Sequence, residues 1–220
     1  IGLNSDMFEG FTQDDWIQLS SMVLLAALPA MIWAVILFKG RKTSRWPLLL
    51  AFFLGTLTVL PLILIYDYLW VQFPQLNLYN AIDSNIVEIH LAAISSLIVV
   101  GILEELTKSG VVRFIGKTRI GIQTINDAVK YSILAGLGFA FTENIFYFRD
   151  AWDQGGLVVL LPVLIFRSLF TVCGHMVFSG IYGYYYGISK FAHPIMEARL
   201  WMGEHSFGVR MMSKILGTDE

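Results

Sequence analysis

The chain has 220 residues, 56% of them hydrophobic and 15% charged, with a formal net charge of -2. Soluble domains carry charge on about a quarter of their residues, so this composition, with a mean hydropathy of +0.65, excludes an ordinary soluble domain and predicts an all-α, polytopic membrane helical bundle. The balanced charge offers no basic surface for a nucleic-acid partner, and a single cysteine, Cys173, excludes an internal disulfide.

In chain order, residues 1–15 carry Asp6, Glu9, Asp14 and Asp15 with no Lys or Arg, an acidic flank expected on the non-cytoplasmic side. The run 16–38 is free of charge. A helix needs about 20 residues to cross the hydrocarbon, so this run is the first crossing, and its length and acidic flank do not fit a cleavable signal peptide. Lys39, Arg41, Lys42 and Arg45 follow, as in short cytoplasmic loops. The run 47–70 returns outward and ends on Tyr66, Tyr68 and Trp70, amphipathic rings favoured at membrane interfaces.

Pro74, two asparagines and Asp83 make 71–85 a loop. The third run, 86–112, ends in Arg113, Lys117 and Arg119. The fourth, 127–148, contains Gly136 and Gly138, small residues that let helices approach closely. Arg149, Asp150, Asp153 and the Gly155-Gly156 pair then form a turn. The fifth, 157–191, exceeds one crossing, so it either projects into the cytoplasm or breaks near Gly174. In the cytoplasmic tail, 192–220, Met, Leu, Trp and Phe mix with charges from Pro194 onward, which predicts an interfacial C-terminal helix.

Thirteen of the fifteen Lys and Arg residues lie in 39–46, 108–130 and 190–220. Orientation follows such residues in short loops. The expectation is an outside N-terminus, about five crossings within 16–191 and one integral domain over 1–220, a multi-pass protein of the cell membrane.

The last three runs carry unusual polar content. Glu104, Glu105 and Lys108 stand in GILEELTKSG, Glu143 and Asn144 in GFAFTENIFYF, Arg167 in LIFRSLF, and His175 and Ser179 in CGHMVFSG. An ionisable group at the bilayer centre costs about 2.5–3.5 kcal/mol on insertion scales. Glu104 lies four residues from Lys108 and Glu105 three, so one helix face can neutralise both acids. Taken singly, each residue could be a helix-end ion pair or an interhelical hydrogen bond worth about 0.6 kcal/mol, and for Asn144 and Arg167 that structural reading is favoured. Depth permits convergence: at the helical rise, Glu104 lies about 12 Å and Glu143 about 18 Å from the cytoplasmic surface. His175 belongs to the inner half of its run.

Such a pocket suits peptide hydrolysis by either of two routes. A buried carboxylate can take a proton from water while an imidazole or amide stabilises the oxyanion. Alternatively, carboxylates and a histidine can hold zinc that activates the water. No Gly-x-Ser-Gly, Gly-x-Gly-Asp or His-Glu-x-x-His string occurs, which removes the other intramembrane chemistries.

At these residues the chain resembles the PrsW intramembrane proteases, within the broader group of CAAX prenyl endopeptidases and bacteriocin-processing homologues. The resemblance covers roughly 100–190. Glu104 to Lys108 looks like the family's Glu-Glu-x-x-Lys motif. Asn126 to Tyr147 looks like its Asp-Gly-x-x-Tyr-Gly…Gly-x-Gly-Phe-x-x-x-Glu-Asn block, with Ala128 and Ser132 in place of two glycines. Arg167 with His175 to Gly180 resembles its third motif.

The resemblance implies a membrane-embedded endopeptidase acting on a membrane-anchored protein or peptide, with an anti-sigma factor in stress signalling as the family's example, and catalytic motifs within 100–180. By analogy with that group, Glu104 would be the general base or a metal ligand, and Glu105 would pair with Lys108. Glu143 would be the second acid and Asn144 a carbonyl or oxyanion donor. His175 would be an oxyanion donor or metal ligand, supported by Ser179, and any zinc would sit on Glu104, Glu143 and His175. Two other classes also use such residues. A proton-coupled transporter would favour paired repeats, which the chain lacks, and a non-catalytic scaffold could dispense with the acids.

Overall fold

Backbone in hydrocarbon can hydrogen-bond only to itself, which makes the apolar runs helical. In the computed structural model, residues 12–38, 45–74, 86–118, 121–203 and 207 are described, and among them there is no strand. Residues 1–11 of the acidic flank, Lys39, Arg41, Lys42 and Arg119 of the basic loops, the loop 75–85 and most of 204–220 lie outside the described residues.

Helix α1, Gln13–Phe38, begins where Asp15 N donates to Thr12 Oγ1 at 3.3 Å and Thr12 N donates to the Asp15 carboxylate at 2.9 Å, which satisfies two orphan donors of the first turn. The second run is two helices, α2 (Arg45–Leu57) and α3 (Val59–Gln72), interrupted at Thr58. There the Thr58 N–H and hydroxyl both donate to the Gly55 carbonyl, at 3.2 and 2.6 Å. Helix α4, Ile86–Lys117, is 32 residues long and carries Glu104, Glu105 and Lys108. Helix α5, Ile125–Phe166, opens with a capping box between Thr124 and Asp127. Asp127, part of the family-like block, thus serves as the helix's N-terminal carboxylate.

The turn expected from Arg149 onward is confined to two residues. Only Gly155 and Gly156 leave helical geometry, and Gly156 takes φ 58° and ψ -142°, a backbone state open to glycine and rarely to residues with a Cβ. There α5 doubles back. Phe148 and Ala151 before the turn pack with Leu160 after it, and farther along Gly136 meets Ser179 and Gly183 meets Ser132. A π-helical turn, Arg167–Thr171, leads into α6, Val172–Trp201.

The fifth run is therefore continuous, with a widened turn at 167–171 and no break near Gly174. Helix α6 continues through Pro194 to Trp201, so residues 192–201 prolong the fifth run and no separate interfacial helix begins there. Among the described residues, three stretches are long and apolar enough to cross a membrane: Gln13–Leu37, Trp46–Gln72 and Ile125–Ala192. The third, 68 residues folded at the glycine pair, has length for two passes.

Polarity is inverted relative to a soluble protein. Leu24, Leu28, Ile36, Phe53 and Leu64 face outward, while Lys108, Arg167 and His175 are buried. The chain is an integral membrane helical bundle. Its axis is the arm 125–154, where Ala128, Ala135, Leu137, Phe139, Ala140 and Phe148 are all closed off. Without a hydrophobic force between helices in lipid, small residues that let backbones touch carry the packing. A Cβ at Gly138 would overlap the Phe52 carbonyl, and one at Gly55 the Ala135 carbonyl. From α1, the Trp33 indole donates to the Ser168 carbonyl at 3.1 Å, tying the first helix to the π turn.

Gly138→Val should lower folded yield and destabilise the bundle by at least the 1–3 kcal/mol, roughly, of an overpacked core. Gly110→Ala, where an added methyl meets nothing within 4 Å, should be neutral or stabilising. Thermal unfolding of both variants in one detergent checks the contrast.

Candidate active site

The ionisable residues of three segments meet in one cluster. Lys108, on α4, is 1% exposed. An ammonium so placed must be compensated, and Glu105, one turn back, forms a tight ion pair with it. Glu104 Oε2 stands 4.0 Å from the same Nζ. The third neighbour comes from α6, where His175 Nδ1 lies 3.1 Å from Lys108 Nζ. Beneath them Phe139 offers its ring, 4.6 Å from the ammonium and edge-on to the imidazole at 5.2 Å, a cation–π contact.

The α5 arm brings the second half. Glu143 Oε2 accepts from Arg167 Nη2 at 2.6 Å and faces His175 Nε2 at 3.1 Å. Arg167, the first residue of the π turn, also donates through Nε to Asn144 Oδ1 at 2.7 Å and stacks on Tyr147 at 3.7 Å. A charged Lys108 can only donate, so Nδ1 of His175 accepts and Nε2 carries the proton donated to Glu143. The imidazole is neutral in that state. Counted as ionised, Glu104, Glu105 and Glu143 outnumber the cations Lys108 and Arg167 by one.

Glu104 and Glu143 thus converge on His175, with Glu104 Oε2 at 3.9 Å from Nδ1. Two supporting residues sit differently from expectation. Ser179 directs its hydroxyl to Glu105 Oε2 at 3.4 Å, so it supports the Glu105–Lys108 pair and not His175. Asn144 is closed off, its oxygen held by Arg167 and its Nδ2 without a hydrogen-bond partner. It does not line the cleft and holds the guanidinium instead. Phe139, the Phe of the family-like Gly-x-Gly-Phe block, was given no role from sequence, although its spacing of four residues before Glu143 puts both on one helix face.

A cleft of about 690 Å³ opens beside the cluster, between α4 and the π turn with α6. The two walls run parallel, since Lys108 meets His175, Arg113 meets Tyr182 and Gly116 meets Lys190. Leu97, Ile98, Ile102, Leu106 and Phe178 make the lining apolar, and Glu104, Glu105 and His175 lie within it.

Two carboxylates and an imidazole have the donor chemistry of a catalytic zinc site. The lone pairs of Glu143 and His175 that face the cluster are already committed. The Glu143 oxygen is shared by Arg167 and His175, and His175 Nδ1 faces an ammonium. A dication there would stand against two fixed cations, and among the described residues no three His, Cys, Asp or Glu are spaced to hold a metal. The arrangement does not fit zinc.

A family model described as PrsW family intramembrane metalloprotease matches residues 43–210. Protease PrsW of Geobacillus kaustophilus (strain HTA426) is 35% identical over 100 residues, 46% of this chain and 41% of that protein. The match therefore covers about two fifths of that relative's length. No solved structure matches the chain.

Removing Arg167 leaves Glu143 buried beside a neutral imidazole, so Arg167→Met should destabilise the protein by roughly 3–5 kcal/mol. Adding Glu143→Gln should recover most of that loss. A double-mutant cycle by denaturant unfolding checks the pairing, and additive effects would count against it.

Proposed function

Since the chain belongs to the PrsW family, its match running over residues 43–210, we propose that it is an intramembrane endopeptidase that hydrolyses a peptide bond of a membrane-tethered protein with Glu104 as the base. The contrast among the three carboxylates supports this reading. Glu105 is tied to Lys108 and Glu143 to Arg167, whereas Glu104 stands 4.0 Å from Lys108 and 3.9 Å from His175, beyond hydrogen-bond length. Its lone pairs are the ones left for a water at the cleft.

The chemistry follows from that placement. Glu104 takes one proton from water as the water oxygen bonds to the scissile carbonyl carbon. The negative charge that develops on the carbonyl oxygen is met by the field of Lys108, preorganised where little water screens it. As the C–N bond breaks, Glu104 returns the proton to the departing nitrogen, and the products are a carboxylate and an amine. His175 holds the frame: it accepts from Lys108 and donates to Glu143, which keeps both halves of the cluster in register. No step runs through a metal.

An apolar cleft at membrane depth suits an unwound stretch of a single-span protein. Within the family resemblance, an anti-sigma factor of the cell membrane is the substrate class this implies.

Reconstituted with a single-span test substrate, the protein should lose about 10²- to 10⁴-fold in cleavage rate on Glu104→Gln, the range of a general base. His175→Ala should abolish cleavage and, because it takes one partner each from buried Lys108 and from Glu143, also lower the melting temperature. A chelator should leave the wild-type rate unchanged, and a rate lost to the chelator and restored by zinc would replace the glutamate scheme. Product accumulation on a gel reads all three.

A further inference from the structure

Arg113 lines the far end of the cleft, on the same α4 face as Glu105 and Ser109. It is exposed. Its Nε donates to the Tyr182 hydroxyl at 2.9 Å, and Tyr182 is itself stacked on Tyr186 at 6.0 Å between ring centroids. The guanidinium is thus aimed from one side by a braced phenol. Among the described residues no carboxylate pairs with it, so its two terminal nitrogens carry donors in the fork geometry that matches a carboxylate. Lys117 and Lys190 stand at the same end of the bundle, where Lys190 Nζ donates to the Gly116 carbonyl at 2.9 Å. This end is a basic rim, and Arg113 is the part of it that faces the cleft.

We infer that Arg113, held by Tyr182, is a specificity residue that binds a carboxylate of the substrate segment on the basic-rim side of the scissile bond. The inference rests on the protease reading and adds to it the chemistry of what the cleft selects. An apolar segment satisfies Leu97, Ile98, Ile102, Leu106 and Phe178 and leaves Arg113 unanswered, and an acid at the segment's end supplies the missing partner. Position follows from geometry. Arg113 is nine residues beyond Glu104, about 13 Å along the helix. A substrate must be extended for its carbonyl to be attacked, and at about 3.3 Å per residue that distance is roughly four residues. The favoured segment is therefore apolar with Asp or Glu about four residues from the cut.

The test separates recognition from cleavage. The full chain carrying Glu104→Gln, in nanodiscs of uncharged phosphatidylcholine, is titrated with a fluorescent apolar peptide that ends its apolar stretch in Asp, Asn or Lys. The Asp peptide should bind about tenfold more tightly than the Asn peptide and the Lys peptide least. Arg113→Gln should erase the difference, Arg113→Lys should keep part of it, and Tyr182→Phe should reduce it. Melting temperature confirms that each variant is folded.

Equal binding of the Asp and Asn peptides overturns the inference. So does an Arg113→Gln effect that arises only with phosphatidylglycerol in the disc and ignores the peptide's charge, which assigns the guanidinium to a lipid phosphate. With the wild-type protein, moving the Asp by two residues should move the cut bond by two, and a cut that stays in place also overturns it. An Asp preference without cleavage of any peptide sinks the protease reading and leaves the recognition standing.

Discussion

Lys108 is an ammonium at 1% exposure within a bundle whose outer surface is apolar. After relaxation, burying an ion still costs several kcal/mol, and a partner removed leaves the other charge uncompensated. The groups that meet this cost are Glu105, Glu104, His175 and the ring of Phe139, drawn from α4, α5 and α6. The imidazole then has its second nitrogen directed to Glu143, and Glu143 requires Arg167. One buried cation thus dictates the arrangement of the whole cluster, and the carboxylate that ends up least satisfied is the one facing the cleft.

Such a cluster keeps its geometry only if its helices cannot slide. The glycines see to that. Where Gly55 and Gly138 bring backbones of α2 and α5 into contact, and where Gly136 and Gly183 admit Ser179 and Ser132, a shift of a fraction of an ångström in either direction makes overlap or opens a gap. The arm 125–154 is gripped on several sides by such contacts. The polar groups of neighbouring helices are therefore held at fixed separations by residues that contribute no chemistry themselves.

Much of this was readable in advance. An ionisable residue in an apolar run stands out because its burial is costly, and Glu104, Glu105, Lys108, Glu143, Arg167 and His175 did converge. Helix faces were harder to read. Lipid-facing and core-facing positions are both apolar here, so the periodicity that reveals a soluble helix's buried face carries little signal. Phe139, although part of the family-like block, was given no role for this reason. Ser179 was assigned to His175 because the two are one turn apart, but its hydroxyl goes across to α4. Asn144, adjacent to Glu143 in sequence, points to the guanidinium. The extent of the fourth helix past Arg149 was also hidden, because polar residues at a helix's membrane exit look like a loop.

The π turn at Arg167–Thr171 has a consequence beyond its own hydrogen bonds. In a regular α-helix, two residues eight apart point about 80° away from each other. The wider i→i+5 winding takes up much of that angle, and Arg167 and His175 both address the same oxygen of Glu143. The extra winding acts as a phase correction along the helix. Function here depends on the winding of the chain between two side chains as much as on their identity: with 167–175 wound as a plain α-helix every group would survive, yet the imidazole would turn about 80° away from the Glu143 oxygen that Arg167 holds.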